Sequence, residues 1–596
     1  MKKIIFSVLA LFVFAHMSYG ASADYWVGEN GDIHGLSLYL KQGIINTPLI
    51  GTITGGAVLG NGTSPMADIV SKGPWVDPRA FNATADYNGV TGTDNYSAFI
   101  NAIAYLKNIG GGVLHVVYPP NSTGKYYFKA QNGVDPQIKI PSDVTVLTDP
   151  GVTYAIENGT TGGSDGHGSG EVNTYSTAFF VNDNMSTGNH DISIIGGNFE
   201  CTSTGTGCGG FIAFKNVIRP TVKNVHLMDI AGAARMQISY SKDVTVKNYY
   251  TGWNGSLPAS ASFEDGLRFG SGDVDVCASN LHIWSGDDCL AINNENSETQ
   301  MSITSQSGIP TYNTNGADIK GVFIRDLFCE NQLGNIVRIF QGPGMSNGQI
   351  SDIKITGIKG DSISNSSAGG SAISIYDDSG VTTDAISNVK ISGGFVNGSQ
   401  LGNGTSDAAI NIDTSGEGIN VENLTLENVS VPYGIAAASI TNGVSINNNK
   451  ITSTTSGTIG IILAGLHSRL MNNRIITLAA PIEELSGADY TYASGNDVIF
   501  SGSSCAIANN PHSVYIDNPG YNPIGTFPIS GVITGSFQYT SSDSPENVCV
   551  FGGTVTDISI GSTSIGGATF GCFDLPPHTT ITVDNSAVPY MTKTVE

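Results

Sequence analysis

Basic residues are scarce in this chain. Its 596 residues hold 26 Lys and Arg against 50 Asp and Glu, a formal charge of −24. Phosphate contacts need clustered Lys and Arg, so this balance excludes nucleic acid as a partner. It also offers no broad attraction to polyanionic sugars. Long apolar runs are missing too: beyond residue 23 nothing approaches the roughly 20 apolar residues of a membrane helix, so no membrane partner is expected. Cysteine is thin, with eight in all: 201, 208, 277, 289, 329, 505, 549 and 572. That is too few for a disulfide-held scaffold, and no Cys-x-x-Cys or His/Cys cluster points to zinc. The core must therefore be hydrophobic. Charged residues make up only 13% of the chain, and helical periodicity nearly vanishes after the first strand, at 113–118.

What is present begins with a leader. Lys2 and Lys3 precede an apolar stretch from Ile4 to Ala15, then small residues with cleavage expected after Gly20 or Ala23. Residues 1–23 read as a secretory signal and place the protein outside the cytoplasm, secreted or periplasmic. An even cysteine count in an exported chain permits disulfides, and Cys201 and Cys208 flank a Gly/Thr-rich loop they could close. Residues 24–74 form a Gly-rich N-terminal extension. Phe99, Ile100, Ile103 and Leu106 then recur at helical spacing, with Thr93 or Asp94 as cap and Gly110 as stop.

Beyond that, short alternating runs repeat: around Val222, Val244, Leu281, Ile319, Ile353, Val389, Val421 and Val444. Alternation sends one face inward. The clearest steps are about 22 residues, and longer ones fit a coil with an inserted loop. A βα alternation would need helices between the strands. A coil that cannot bury its own apolar face must stack on neighbours. The pattern predicts an all-β fold, a single-stranded right-handed parallel β-helix with a short N-terminal capping helix. The solenoid spans residues 75–500, and 501–596 supply final coils or a small C-terminal β module. Asn224, Asn248, Asn423 and Asn447 fit coil corners, because Asn tolerates left-handed backbone.

The chemistry concentrates in the run Ser285–Asn293, which holds Asp287 and Asp288. Asp265 lies about one coil earlier. Stacking at that period brings three carboxylates to one surface. Clustered carboxylates repel, so one keeps its proton near neutral pH. Glycosidic cleavage needs that division: an acid for the leaving oxygen and a base for water. Asp377-Asp378 and the Asp273/Asp275 pair read as turn residues, and His282 as a stacking residue.

The segments Glu264-Asp265-Gly266, Gly286-Asp287-Asp288-Cys289-Leu290-Ala291-Ile292-Asn293 and Val337-Arg338-Ile339 resemble polygalacturonase-type glycoside hydrolases of the pectate-lyase-like β-helix superfamily. The resemblance implies Asp287 as general acid, Asp265 and Asp288 as the pair activating water, and Arg338 as a substrate-binding residue. It also implies an inverting reaction, with acid and base about 6.5–9.5 Å apart, and neither cofactor nor metal. Two departures stand out. No His lies between Asp288 and Arg338, where the family carries Gly-His-Gly, and Phe340 replaces the Lys of Arg-Ile-Lys. These departures point to a polysaccharide substrate without singling out pectin, with Phe340, Trp284, Trp253 and Phe269 as candidates to stack on sugar faces. Two other functions share the scaffold: a lyase or epimerase whose aspartates hold Ca²⁺, and a non-catalytic carbohydrate binder of tailspike or adhesin type.

Overall fold

The computed structural model describes residues 22–27, 33–39 and 75–595, with gaps at 132–134, 158, 160–173, 203–207, 229–233, 253–264, 296–301, 332–333, 363–370, 379–383, 399–400, 402–406, 439–440, 501–511, 520–524 and 543. The expected signal peptide up to residue 21, Trp253, Glu264 and Cys505 lie outside the described residues. Two units separate, 1–56 and 57–596. In the first, Ser22–Val27 pairs antiparallel with Ile33–Tyr39.

The second unit is built on a parallel β-helix. Its helix, Tyr96–Asn108, buries Phe99, Ala102, Ile103 and Leu106 on one face. The cap is Asn95, one residue past Asp94. The Asn95 side chain instead ties Thr84 and Tyr127 together, while an Asp94 oxygen accepts from the Tyr96 amide. The strands then stack into a 23-stranded and a 12-stranded sheet.

Register explains why this sequence stacks. In the 12-stranded sheet one inward row runs Ile138, Phe180, Ile212, Met236, Leu267, Leu290, Val337, Ile373, Ile410, Ile435, Ile461 and Ile482. Every member is fully buried. A second inward row holds Phe214, Ile238, Phe269, Ile292, Ile339, Ile375 and Ile412. Each side chain lies on its counterpart in the next coil, so burial accumulates along the axis. Truncating a central member such as Ile339 to Ala would cost roughly 2–5 kcal/mol.

Coil corners use left-handed backbone. Asn224 (φ 57°), Asn248 (φ 52°) and Asn423 (φ 57°) take it as expected. Asn447 does not: it still pairs in the strand with Glu422, and Asn448 turns the corner at φ 57°. Asn248 donates to Asn224 Oδ1 at 2.7 Å, and Asn280 to Asn248 Oδ1 at 2.8 Å. Cys201–Cys208, Cys289–Cys329 and Cys549–Cys572 are disulfides, and Cys277 is free and exposed.

The last paired coil strand is Val514–Ile516. Residues 525–595 then form two four-stranded antiparallel sheets around their own core of Val548, Val550, Val555, Ile558, Leu575, Ile581, Val583 and Met591. No helix among the described residues is long and apolar enough to cross a membrane.

Candidate active site

The site forms where the long strand Val274–Ser285 turns into Leu290–Asn294. Cys289 packs into the core, so alternation sends Asp288 outward. The corner is pinned from several sides. Ser285 donates to Asp287 O at 2.7 Å, Gly266 N to Asp288 O at 2.8 Å, and Cys289 N to Asn335 O at 2.9 Å. The Cys289–Cys329 bond ties it to the next coil. Gly334 is obligatory: a Cβ there would lie 2.4 Å from Asp287 Oδ1 and 2.6 Å from Asp288 N.

Asp265 precedes the strand one coil earlier, and the Gly266–Asp288 hydrogen bond fixes the two corners in register. One carboxylate oxygen from each of Asp265, Asp287 and Asp288 lies within 4.8 Å of the others. The three acids found in the sequence thus converge. Asp287 is half-buried, whereas Asp265 is 7% exposed and Asp288 1%.

Two arginines and a glutamate brace the acids. Arg268 Nε lies 2.9 Å from Asp265 Oδ2, and its Nη2 lies 3.3 Å from Glu295. Arg338 Nη1 lies 3.5 Å from Asp288 Oδ2, and its Nη2 lies 3.6 Å from Glu295. Arg268, Ala291 and Arg338 share one register position on adjacent strands, which puts both arginines on the same outward row. Asp288 Oδ1 accepts from Asn335 N at 2.7 Å, whereas Oδ2 is buried and accepts no hydrogen bond. Burial first, and then the charge of Asp287, push the Asp288 carboxyl up to about 7, against the opposing pull of Arg338. Near neutral pH the proton of this corner is therefore held at Asp288, beside Asp287.

The aromatic candidates fare differently. Phe269 stands in the inward core row at 0% exposure, because its register partners are Ile238 and Ile292; it cannot meet a sugar. Phe340 faces outward but is only 5% exposed. Its ring stacks on Tyr376 at 4.3 Å and lies 4.1 Å from the Arg338 guanidinium, so it supports Arg338 and has little face left for a sugar. Trp284 is half-buried, with Arg235 at 5.1 Å from its ring. His282 is exposed and sits between Tyr250 and Phe328 in a column of rings, a stacking role as expected.

Sequence reasoning missed Arg268, Glu295 and Tyr376. Arg268 stands three residues after Asp265, and register with Arg338 would have flagged it once the coil length was known. Nothing local marks Glu295.

The triplet is compact enough to surround a divalent cation with oxygen ligands, but Arg268 and Arg338 already approach two of its carboxylates. A second group, Asp143, His190 and Asp191, is more exposed, and Asp191 is engaged by Arg219 through two contacts of 2.7 and 2.6 Å.

No family model matches this chain, and no curated protein matches it. Among solved structures, it is similar to a tailspike protein of E. coli bacteriophage HK620, solved as a double mutant in complex with a pentasaccharide. The identity is 13% and the TM-score 0.48, covering 90% of this chain and 98% of that one. The A-module of an Azotobacter vinelandii mannuronan C-5 epimerase gives 14% identity and a TM-score of 0.38, covering 75% and 99%.

Proposed function

We propose that the protein is an exported glycoside hydrolase that cleaves a polysaccharide by acid–base catalysis at Asp265, Asp287 and Asp288. The carrying observation is the convergence of three carboxyls at one corner, with one carboxyl pushed up to about 7. Asp287 is the half-exposed member, so it meets the glycosidic oxygen. At the moment of transfer the pair's proton sits on Asp287, leaving Asp288 and Asp265 as carboxylates. Water bonds to the anomeric carbon as the bond to the leaving oxygen breaks; that oxygen takes the Asp287 proton, and a carboxylate takes the proton of water. Arg268 and Arg338 hold the base carboxylates in place. With both guanidiniums engaged by protein carboxylates, the cleaved sugar needs no carboxylate of its own, which supports a polysaccharide other than polygalacturonate.

Purified protein incubated with a panel of polysaccharides tests this reading. New reducing ends, absent in Asp287→Asn, support it; a panel that yields none overturns it. Proton NMR of the first anomer formed separates inversion from retention.

A lyase or epimerase reading has one observation behind it, the compactness of the triplet. It requires Ca²⁺-dependent activity and unsaturated or epimerised uronate products. Full activity in chelator, with no ultraviolet-absorbing product, rejects it.

A further inference from the structure

The C-terminal module shows a second face. One of its sheets runs Gly525–Pro528, Tyr590–Val595, Glu546–Phe551 and Gly571–Leu575 in spatial order. Val548, Val550, Leu575 and Met591 point into the module core. Alternation therefore sends Phe551, Cys549 and Asn547 outward, together with Tyr590 and Thr592 on one side and Cys572 and Asp574 on the other.

Register arranges these outward residues in rows. Phe551 pairs with Tyr590, and their rings lie 5.3 Å apart. Val550 pairs with Gly571, where that strand begins, and Phe570 immediately precedes it in the chain. The next row is the Cys549–Cys572 disulfide with Thr592, and behind it Asn547 Nδ2 donates to Asp574 Oδ1 at 2.6 Å. Phe551 is 41% exposed, Tyr590 57% and Phe570 75%. Folding normally hides rings of this size, so three bare rings at one end of this sheet mark a contact surface.

The chemistry narrows the occupant. Asp574 is the single formal charge among these outward residues, and it is engaged by Asn547. The nearby cation, Lys593, pairs with Glu546 at 2.9 Å on the inward side. The face thus has nothing to hold a polyanion or an acidic lipid surface. From their exposure the rings offer on the order of 350 Å², well short of the roughly 800 Å² per partner of a stable protein interface. The Phe551 and Tyr590 rings, 5.3 Å apart and tilted 44° to each other, are spaced close to the repeat of a sugar chain. We infer that this face is a carbohydrate-binding site for a neutral polysaccharide, with Phe551, Phe570 and Tyr590 stacking on sugar rings. The site is separate from the acid cluster and does not depend on the hydrolase reading.

Affinity electrophoresis of the full-length chain tests it, through gels containing a soluble β-glucan, xylan, galactomannan or dextran. At least one polysaccharide should retard the protein. The triple variant Phe551→Ala/Phe570→Ala/Tyr590→Ala should weaken that binding about tenfold or more. The ring-preserving variant Phe551→Tyr/Phe570→Tyr should bind within about threefold of the parent, and all should melt together, because the three rings are exposed. Absence of retardation by every gel, or equal retardation of parent and triple variant, overturns the inference. So does an oligomeric parent that the triple variant converts to monomer, since the face would then join copies of the chain. Binding lost in the triple variant while Asp287→Asn still binds separates this site from the acid cluster. If the protein binds but hydrolyses nothing, the hydrolase reading fails and this site stands.

Discussion

Two buried polar arrays in the same solenoid differ in charge and in how completely they are satisfied. In the last coils Asn449, Asn473, Asn496 and Asn518 stack at 0–1% exposure. Each of the first three donates from Nδ2 both to a backbone carbonyl and to the next Asn Oδ1, and the Oδ1 atoms of Asn473, Asn496 and Asn518 each accept from the Asn before. At the acid corner, Asp288 Oδ2 accepts no hydrogen bond, and both polar atoms of buried Asn293 lack partners. The neutral ladder is complete and uncharged, which is what a structural role requires. The acid corner is charged and incomplete, as a site that takes contacts from outside the fold would be.

Substitutions can break that comparison. The largest effect is expected at Asp287: Asp287→Asn should cut turnover by about 10³-fold or more with little change in melting temperature, as reducing-end assays and thermal scans would show. Equal loss of stability would make the corner merely structural.

Asn473→Ala should do the reverse. It strands the Asn449 donors and empties the place between them and Asn496, at a cost of roughly 2–5 kcal/mol by denaturant unfolding, while activity per folded molecule persists.

Asp288→Asn separates the arrays by pH. The native carboxyl holds its proton up to about 7, whereas an exposed aspartate loses it near about 4. The stability linked to that proton is therefore full below about pH 4 and is lost as pH rises through about 7. An amide mimics the protonated form, so the melting temperature of the variant should gain on the parent's between pH 5 and pH 8. A constant difference across that range contradicts the raised carboxyl. The parent's own turnover should decline above about pH 7 as the pair loses its shared proton.

The smallest effect is expected at Glu295. Glu295→Gln removes the charge between Arg268 and Arg338 and should reduce kcat/KM about tenfold, with the pH profile displaced. An unchanged pH profile would show that Glu295 does not act through the acids.

Much of this was legible in sequence because solenoids translate spacing into position. The interval from Asp265 to Asp288 approximates one coil, so convergence could be read before any coordinates. The strand runs from Val222 to Val444 were visible for the same reason. Side-chain direction was less accessible where a one-residue offset reverses it. Phe269 was placed on the wrong face, and the corner fell at Asn448 in place of Asn447. Phe340 faced the right way, but its neighbours Arg338 and Tyr376 claimed its surface. Glu295 stands two residues past the run that ends at Asn293, and only packing shows that it meets both arginines.

By itself the sequence determined the repeating coil, its inward apolar rows and the meeting of three acids, since each follows from periodicity along a single axis. Tertiary structure decided the rest: which carboxyl is buried deeply enough to keep a proton, which arginines brace it, and which rings remain bare. Those properties depend on what covers a side chain from neighbouring coils and loops, and cover is not written in the spacing of residues.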